Sequence, residues 1–309
     1  MHVDPWVPGI GSVMGDVNNT QGVTKVSELN EEQFHLWQSL IEKRTGMHIP
    51  VQRQVFLQSS LRLRMKEINC DSFDAYYVQL QAGRESEQEW SILVDRLTVQ
   101  ETHFFRHPPS FELVSDKVRE WFVNNTDKKS IQIWSVGCAT GEEPYSLAML
   151  LDEKIHAMHL AKDHYFGVTA TDLSMPALDK ARLGIYKSKK VEQQVSAAKR
   201  KRYFDYVDDK HVQIKPMIKE RICFARINVL DLENVPFTDL DIIFCQNVLI
   251  YFSRWRRREI INQLAKRLLP GGIIVLGLGE VMDWSHPQLV RVDSSQVLAF
   301  MKNEAGQEN

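Results

Sequence analysis

The chain has 309 residues, 43% of them apolar and 25% charged, with a formal net charge of −2. That length holds one large domain and a small one, the near-neutral balance gives no global electrostatic reason to expect nucleic acid, and no apolar stretch approaches the ~20 residues of a membrane span. Cys70, Cys138, Cys223 and Cys245 form no C-x-x-C pair and the histidines show no zinc-like spacing, which argues against a disulfide framework or a metal and for reduced thiols in a soluble cytoplasmic protein.

In chain order, residues 1–27 carry Pro5, Pro8 and several glycines and asparagines without apolar periodicity, and read as a mobile lead-in. Order is expected near Asn30. Residues 28–97 read as a small all-helical domain, because Phe34, Trp37, Leu40 and Ile41 recur at helical spacing and similar runs follow at 55–65, 73–80 and 90–97. Within it, 41–69 carries Lys43, Arg44, Arg53, Arg62, Arg64 and Lys66 against Glu42 and Glu67. A solvated helix face and a docking face for an acidic partner are both consistent with such a run. A linking helix over 108–123 leads into the second domain, 98–301, and the polar tail 302–309 is expected to fray.

The densest information lies at 131–150, IQIWSVGCATGEEPYSLAML. Ile131, Ile133, Trp134 and Val136 suit a buried parallel strand. Gly137 and Gly141 open a turn that a ligand can approach closely, and Pro144 suits a first helical turn. The spacing is G-x-x-x-G, short of the dinucleotide fingerprint. Glu142 and Glu143 would repel a pyrophosphate from the helix start; they suit a ligand carrying an ammonium group or hydroxyls, as S-adenosylmethionine does. Strands then follow at 166–173, ending in Asp172, where doubly wound folds place the acid that holds ribose hydroxyls; at 223–230, ending in Asn228; and at 240–252, long and apolar. The run LLPGGIIVLGLGE reads as a helix end, a Pro-Gly-Gly turn and a fifth strand. The expected class is α/β: a doubly wound, mostly parallel sheet with helices on both faces and ligand sites at the strand carboxyl ends.

With these residues in view, the chain resembles the chemotaxis receptor glutamate methyltransferases of the CheR type. The resemblance rests on L-T-x-x-x-T-x-F-F-R (97–106), T-G-E-E-P-Y-S (140–146), A-T-D (170–172), A-R-x-G-x-Y (181–186), R-Y-F (202–204) and F-C-x-N-V-x-I-Y-F (244–252), and runs from about residue 30 to 301. It implies a class I methyltransferase domain with a small antiparallel β-subdomain at about 203–225. It also implies methyl transfer from S-adenosylmethionine to glutamate carboxylates on the cytoplasmic helices of chemoreceptors, with S-adenosylhomocysteine as product and no metal.

By the same resemblance, Arg106 and Tyr251 are the catalytic candidates. Gln100, Thr102, Arg106, Gly137, Glu143, Asp172, Asn228, Val229, Gln246 and Asn247 are the cofactor candidates, and Arg53, Arg62 and Arg64 the receptor contacts. Arg106 could grip the carboxylate of cofactor or substrate. Phe104 and Phe105 are read as packing. Two departures stand out: Gln246-Asn247 replaces the family's frequent Arg-Asn pair, and the segment DYVDDKHVQIKP is short and lacks the glycine-containing loop of relatives that dock a receptor-tail pentapeptide. Activity independent of that pentapeptide is therefore expected, from a protein expected to be a monomer associated peripherally with receptor arrays and not inserted in membrane. A cofactor-binding regulatory module without turnover, and a methyltransferase acting on a small molecule or RNA, remain as alternatives.

Overall fold

The computed structural model describes residues 28–81, 85–98, 101–125 and 127–303. The expected lead-in 1–27, Gln100 and the tail from 304 lie outside the described residues.

Four helices form the amino-terminal domain: α1 (Glu31–Thr45), α2 (Gln54–Glu67), α3 (Phe73–Gln81) and α4 (Glu85–Leu97). The start of α1 follows from its sequence. The Asn30 side chain accepts the Gln33 N–H and the Gln33 side chain reaches back to the Asn30 N–H, a reciprocal capping box, while Gly46 takes the left-handed conformation that ends the helix. Phe34, Trp37, Leu57, Leu61, Tyr76 and Leu93 bury the shared face.

Arg64 belongs to that interior. Its guanidinium is bidentate on Glu89 at 2.8 and 2.6 Å and also reaches Glu67 at 2.9 Å, and the Tyr76 hydroxyl donates to Glu89 at 2.6 Å. Arg64, expected as a receptor contact, is thus paired within the helical domain, and removing it would leave Glu89 without that counter-charge. Arg53 stacks on the Phe56 ring at 4.4 Å, and Arg62 is half-buried.

After α5 (Pro108–Asn124), β1 (Ser130–Val136), α6 (Glu142–Ala157), β2 (Tyr165–Asp172) and α7 (Met175–Leu183) begin the alternating domain. Next come β3 (Ile185–Lys187), α8 (Ser188–Gln194), α9 (Ala197–Tyr203), β4 (Phe204–Tyr206), β5 (His211–Ile214), α10 (Pro216–Lys219) and β6 (Ile222–Arg226). The chain continues through β7 (Leu240–Cys245), α11 (Arg254–Ala265), β8 (Leu268–Leu276), β9 (Leu289–Arg291) and β10 (Leu298–Lys302).

The large sheet has the order β6-β2-β1-β7-β8-β10-β9; β10 runs antiparallel to both of its neighbours and the other pairs are parallel. Alternation along each strand serves two cores. Ile133, Ile242 and Ile273 face the side of α5 and α6, whereas Trp134, Ile243 and Ile274 face the side of α11.

Three local readings change. The apolar run 240–252 is a strand only to Cys245; Asn247 then turns with φ 60° and residues 249–251 form a 3₁₀ turn. The Pro-Gly-Gly run lies inside β8, where the register jumps between Leu240↔Leu268 and Ile242↔Ile273. The three-stranded small sheet has the order β3-β5-β4, so it draws a strand from 185–187, while 222–226 belongs to the large sheet.

Candidate active site

The site grows from the bend after β1. Gly137 has φ 72°, and its N–H and that of Cys138 both reach the Thr171 carbonyl, at 2.7 and 2.9 Å. A Cβ on Gly137 would stand 2.3 Å from Val248 Cγ2, so the close approach of this bend to the turn after β7 demands glycine. Asp172, ending β2, accepts the Ala139 N–H at 2.8 Å and the Ser174 N–H at 2.9 Å. A carboxylate has further lone pairs, so it shapes the bend and keeps acceptor capacity for a ligand hydroxyl. Burial pushes its pKa above the ordinary carboxylate range.

The two glutamates that open α6 separate. Glu142 turns inward, buried, where it takes Lys190 Nζ at 2.8 Å and the Thr140 hydroxyl at 2.7 Å. Lys190 also donates to the Thr102 carbonyl at 3.0 Å, which ties the 101–106 loop to the helix start. Glu143 lines the cleft. Its Oε1 accepts the Ser135 hydroxyl at 2.8 Å, and burial pushes its pKa up to about 8, with Glu280 adding repulsion and Arg106 opposing it. Among the described residues no lysine or arginine is ion-paired with it.

The T-x-F-F-R loop is held from behind. The Phe104 N–H donates to Gln194 Oε1 and the Phe105 N–H to the Ser146 hydroxyl, each at 3.0 Å. Phe104 is buried edge-on against Tyr186 and Phe204, and Phe105 packs against Phe111, so both serve packing. Arg106 is left exposed on the cleft, its Nη1 donating to the Glu101 carbonyl at 2.8 Å.

The turn after β7 is clamped at both ends. Buried Glu280 accepts the N–H groups of Gly277 and Ile250 and also takes those of Asn247 and Leu249. From the other side Arg257 donates to the carbonyls of Phe252 at 2.8 Å, Glu280 at 3.0 Å and Ile250 at 3.4 Å. A carboxylate on the free donors and a guanidinium on the free acceptors is what so short a helical turn needs. Tyr251 is thereby fixed on the cleft. Gln246 is committed elsewhere, donating to the Ser110 hydroxyl at 2.8 Å and to the Leu276 carbonyl.

The amino-terminal domain closes the cleft. The His48 N–H donates to the Tyr251 carbonyl at 2.8 Å, Asn228 Nδ2 donates to the Arg44 carbonyl at 3.1 Å, and Met47 bridges Phe252. Asn228 thus has a joining role that its strand-end position alone did not reveal.

One cleft of about 1020 Å³, open mouth included, collects Thr102, Arg106, Gly137, Glu143, Asp172, Asn228, Val229, Gln246, Asn247 and Tyr251. Arg53, Arg62 and Arg64 are outside it. The sequence reading did not include Thr45, Met47, His103 and Phe111, which also line it; the first two come from the other domain, where only the fold could bring them. It also missed the supports Lys190 and Glu280. Gly277 held a clue to the latter, since a Cβ there would meet the Glu280 carboxylate at 2.4 Å.

These residues fit S-adenosylmethionine: a glycine bend without a Cβ in the way, an acid at the second strand end for the sugar, and a buried carboxylate with no basic partner for the ammonium. Comparison with known proteins agrees. The description "CheR methyltransferase, all-alpha domain" matches residues 32–98, and "CheR methyltransferase, SAM binding domain" matches residues 100–298. Chemotaxis protein methyltransferase Cher2 of Pseudomonas putida is 32% identical over 268 residues, covering 85% of this chain and 94% of its own. Chemotaxis protein methyltransferase 1 of Pseudomonas aeruginosa is 31% identical, with 84% and 94% covered, and the chemotaxis protein methyltransferase of Salmonella typhimurium 29% identical, with 84% and 86% covered. The chain belongs to the CheR methyltransferase family and is an S-adenosylmethionine-dependent methyltransferase.

Proposed function

We propose that the protein methylates glutamate side-chain carboxylates on the cytoplasmic helices of chemoreceptors, leaving methyl esters and S-adenosylhomocysteine. It would act as a cytoplasmic monomer at receptor arrays. The observation that carries this reading is one cleft lined both by Glu143, a buried carboxyl that among the described residues is ion-paired with no lysine or arginine, and by the exposed guanidinium of Arg106. Together they match the ammonium and carboxylate of an amino-acid end, and Tyr251 lines the same cleft, where its hydroxyl would orient a second carboxylate. Family membership supplies the receptor as substrate class.

Bound S-adenosylmethionine supplies a methyl group on a positive sulfur. The protein's part is alignment and water exclusion. A glutamate with a pKa of about 4.3 is already ionised at neutral pH, so no general base is required. Because opposite charges cancel as the methyl moves, strong fixed charge at that point would favour reactants over the transition state. Arg106 and Glu143 therefore serve best at the amino-acid end, Asp172 at the ribose, Asn228 and Val229 beside the adenine, and the Tyr251 hydroxyl at the substrate. Thr102 and Asn247 complete the cofactor wall. Arg53 and Arg62 are the receptor contacts retained on the helical domain. Incubation with radiolabelled cofactor and receptor cytoplasmic fragments should give base-labile label on glutamate; label that resists base, or none, defeats the proposal. The absence of turnover despite tight cofactor binding would instead favour a regulatory module.

Glu143 gives the cofactor site a pH signature. With its carboxyl raised to about 8, it is mostly protonated at pH 7 in the free enzyme. A bound ammonium favours the ionised form, so binding releases nearly one proton. S-adenosylhomocysteine affinity should then be flat above about pH 8 and fall by up to about tenfold per unit below it. Calorimetry at pH 7 in buffers of different ionisation enthalpy would register the released proton, and Glu143→Gln should abolish the release. Equal heats in all buffers for the parent enzyme would contradict this assignment.

The small sheet leads to a negative expectation. Its β4–β5 connection is a tight turn pinned by Asp208, which accepts the N–H groups of Lys210 and His211 at 2.7 and 2.8 Å. No glycine lies in it to open a docking loop. Calorimetric titration with a receptor-tail pentapeptide should show no tight binding, and removing that tail from the receptor should leave labelling intact.

A further inference from the structure

We infer that the amino-terminal turn of α11 and the loop after β8 form a docking face for an acidic, amphipathic helix, the same polypeptide whose glutamate enters the cleft. The inference rests on the receptor-helix reading above and adds a second contact surface, distinct from α2.

The sequence there is SRWRRRE, with Arg254, Arg256, Arg257 and Arg258 in the first turns of α11 and no acid in the opening turn. Cations at a helix amino terminus work against the helix dipole, so helix stability does not call for them. Arg257 is accounted for by the three carbonyls it grips. Arg254 is not: its pair with Asp283, at 2.8 Å, leaves the two side chains 67% and 76% exposed, where an ion pair contributes little. Arg258, also exposed, reaches the Asp283 carbonyl, at 2.9 Å, and among the described residues is not ion-paired.

Apolar side chains accompany this charge. Ile250, Leu278 and Met282 are 50%, 57% and 67% exposed. Arg254, Arg258, Gly279 and Met282 share one shallow depression, Leu278 adjoins it in sequence, and Ile250 is held beside it through Glu280 and Arg257. Apolar side chains framed by arginine match a helix that carries glutamates beside its apolar stripe.

Continuity selects the occupant. Ile250 precedes Tyr251, which lines the cleft, so a polypeptide resting on this face lies at the cleft mouth. A substrate helix has reason to be there, whereas an anionic membrane surface could not send a carboxylate inward.

The test uses the full chain, receptor cytoplasmic fragments and radiolabelled cofactor. Arg254→Glu with Arg258→Glu should raise the receptor concentration for half-maximal labelling at least about tenfold and flatten its salt dependence. Affinity for S-adenosylhomocysteine should stay at the parent value. Leu278→Ser with Met282→Ser should raise the same concentration without changing the salt dependence, and Arg254→Lys with Arg258→Lys should retain most of the function. An unchanged half-maximal concentration in both the reversal and the serine variants overturns the docking face, as does an effect confined to binding of anionic lipid vesicles. Failure of the parent enzyme to label receptor at all would instead refute the proposed substrate, and so is separable.

Discussion

Gly137→Ala is expected to lower S-adenosylhomocysteine affinity at least about a hundredfold while the chain remains folded. Two costs add. A non-glycine residue held in the left-handed region loses about 1–2 kcal/mol, and forcing a methyl into filled space costs about 1–3 kcal/mol. Here the obstruction is Val248 Cγ2, 2.3 Å from the added carbon, on a branched side chain with little rotamer freedom. Relief must come from moving the bend or the turn after β7, and both are cleft walls. The combination with Val248→Ala separates the costs: it should recover the steric part and leave the conformational part. Calorimetric affinity equal to that of the parent in the single variant would mean that the bend adjusts freely and the ligand does not depend on it.

Arg106→Ala should lower kcat/KM by roughly 10–100-fold, as expected when a charge-assisted hydrogen bond of about 1.5–3 kcal/mol is lost. If the guanidinium holds the amino-acid carboxylate of the cofactor, product affinity falls by a similar factor; Arg106 and Glu143 line the same cleft, as that arrangement requires. Loss of turnover with product affinity intact would move Arg106 to the substrate carboxylate. Arg106→Lys should restore only part of the loss, since an ammonium lacks the planar fork. Unimpaired turnover in the alanine variant would remove the residue from the mechanism.

Much of the cleft was legible because its signals are local. Gly137, Glu143 and Asp172 sit where a strand ends and the chain must turn, and the residue types there report both the turn and the ligand. What was illegible depends on partners far along the chain. The apolar run 240–252 has no local mark of where its strand stops; the stop is imposed by the Glu280 carboxylate, which collects the N–H groups of Asn247, Leu249 and Ile250. Arg64 looked like surface charge until Glu89, 25 residues away, was found to bind it. The strand at 185–187 is too short for any periodicity to reveal. Thr45 and Met47 carry no ligand signature and enter the site only because the helical domain folds over it.

That last feature gives a route by which cofactor binding and the seating of the helical domain can be coupled. Since Thr45 and Met47 wall the same cavity as Gly137, and the His48 and Asn228 hydrogen bonds seat the helical domain on it, any partner that tightens that seat strengthens the grip on the nucleoside by some factor. Reciprocity then requires the loaded enzyme to prefer its partner by the identical factor. A transferase with such coupling would bind its target more tightly when loaded with cofactor than when empty.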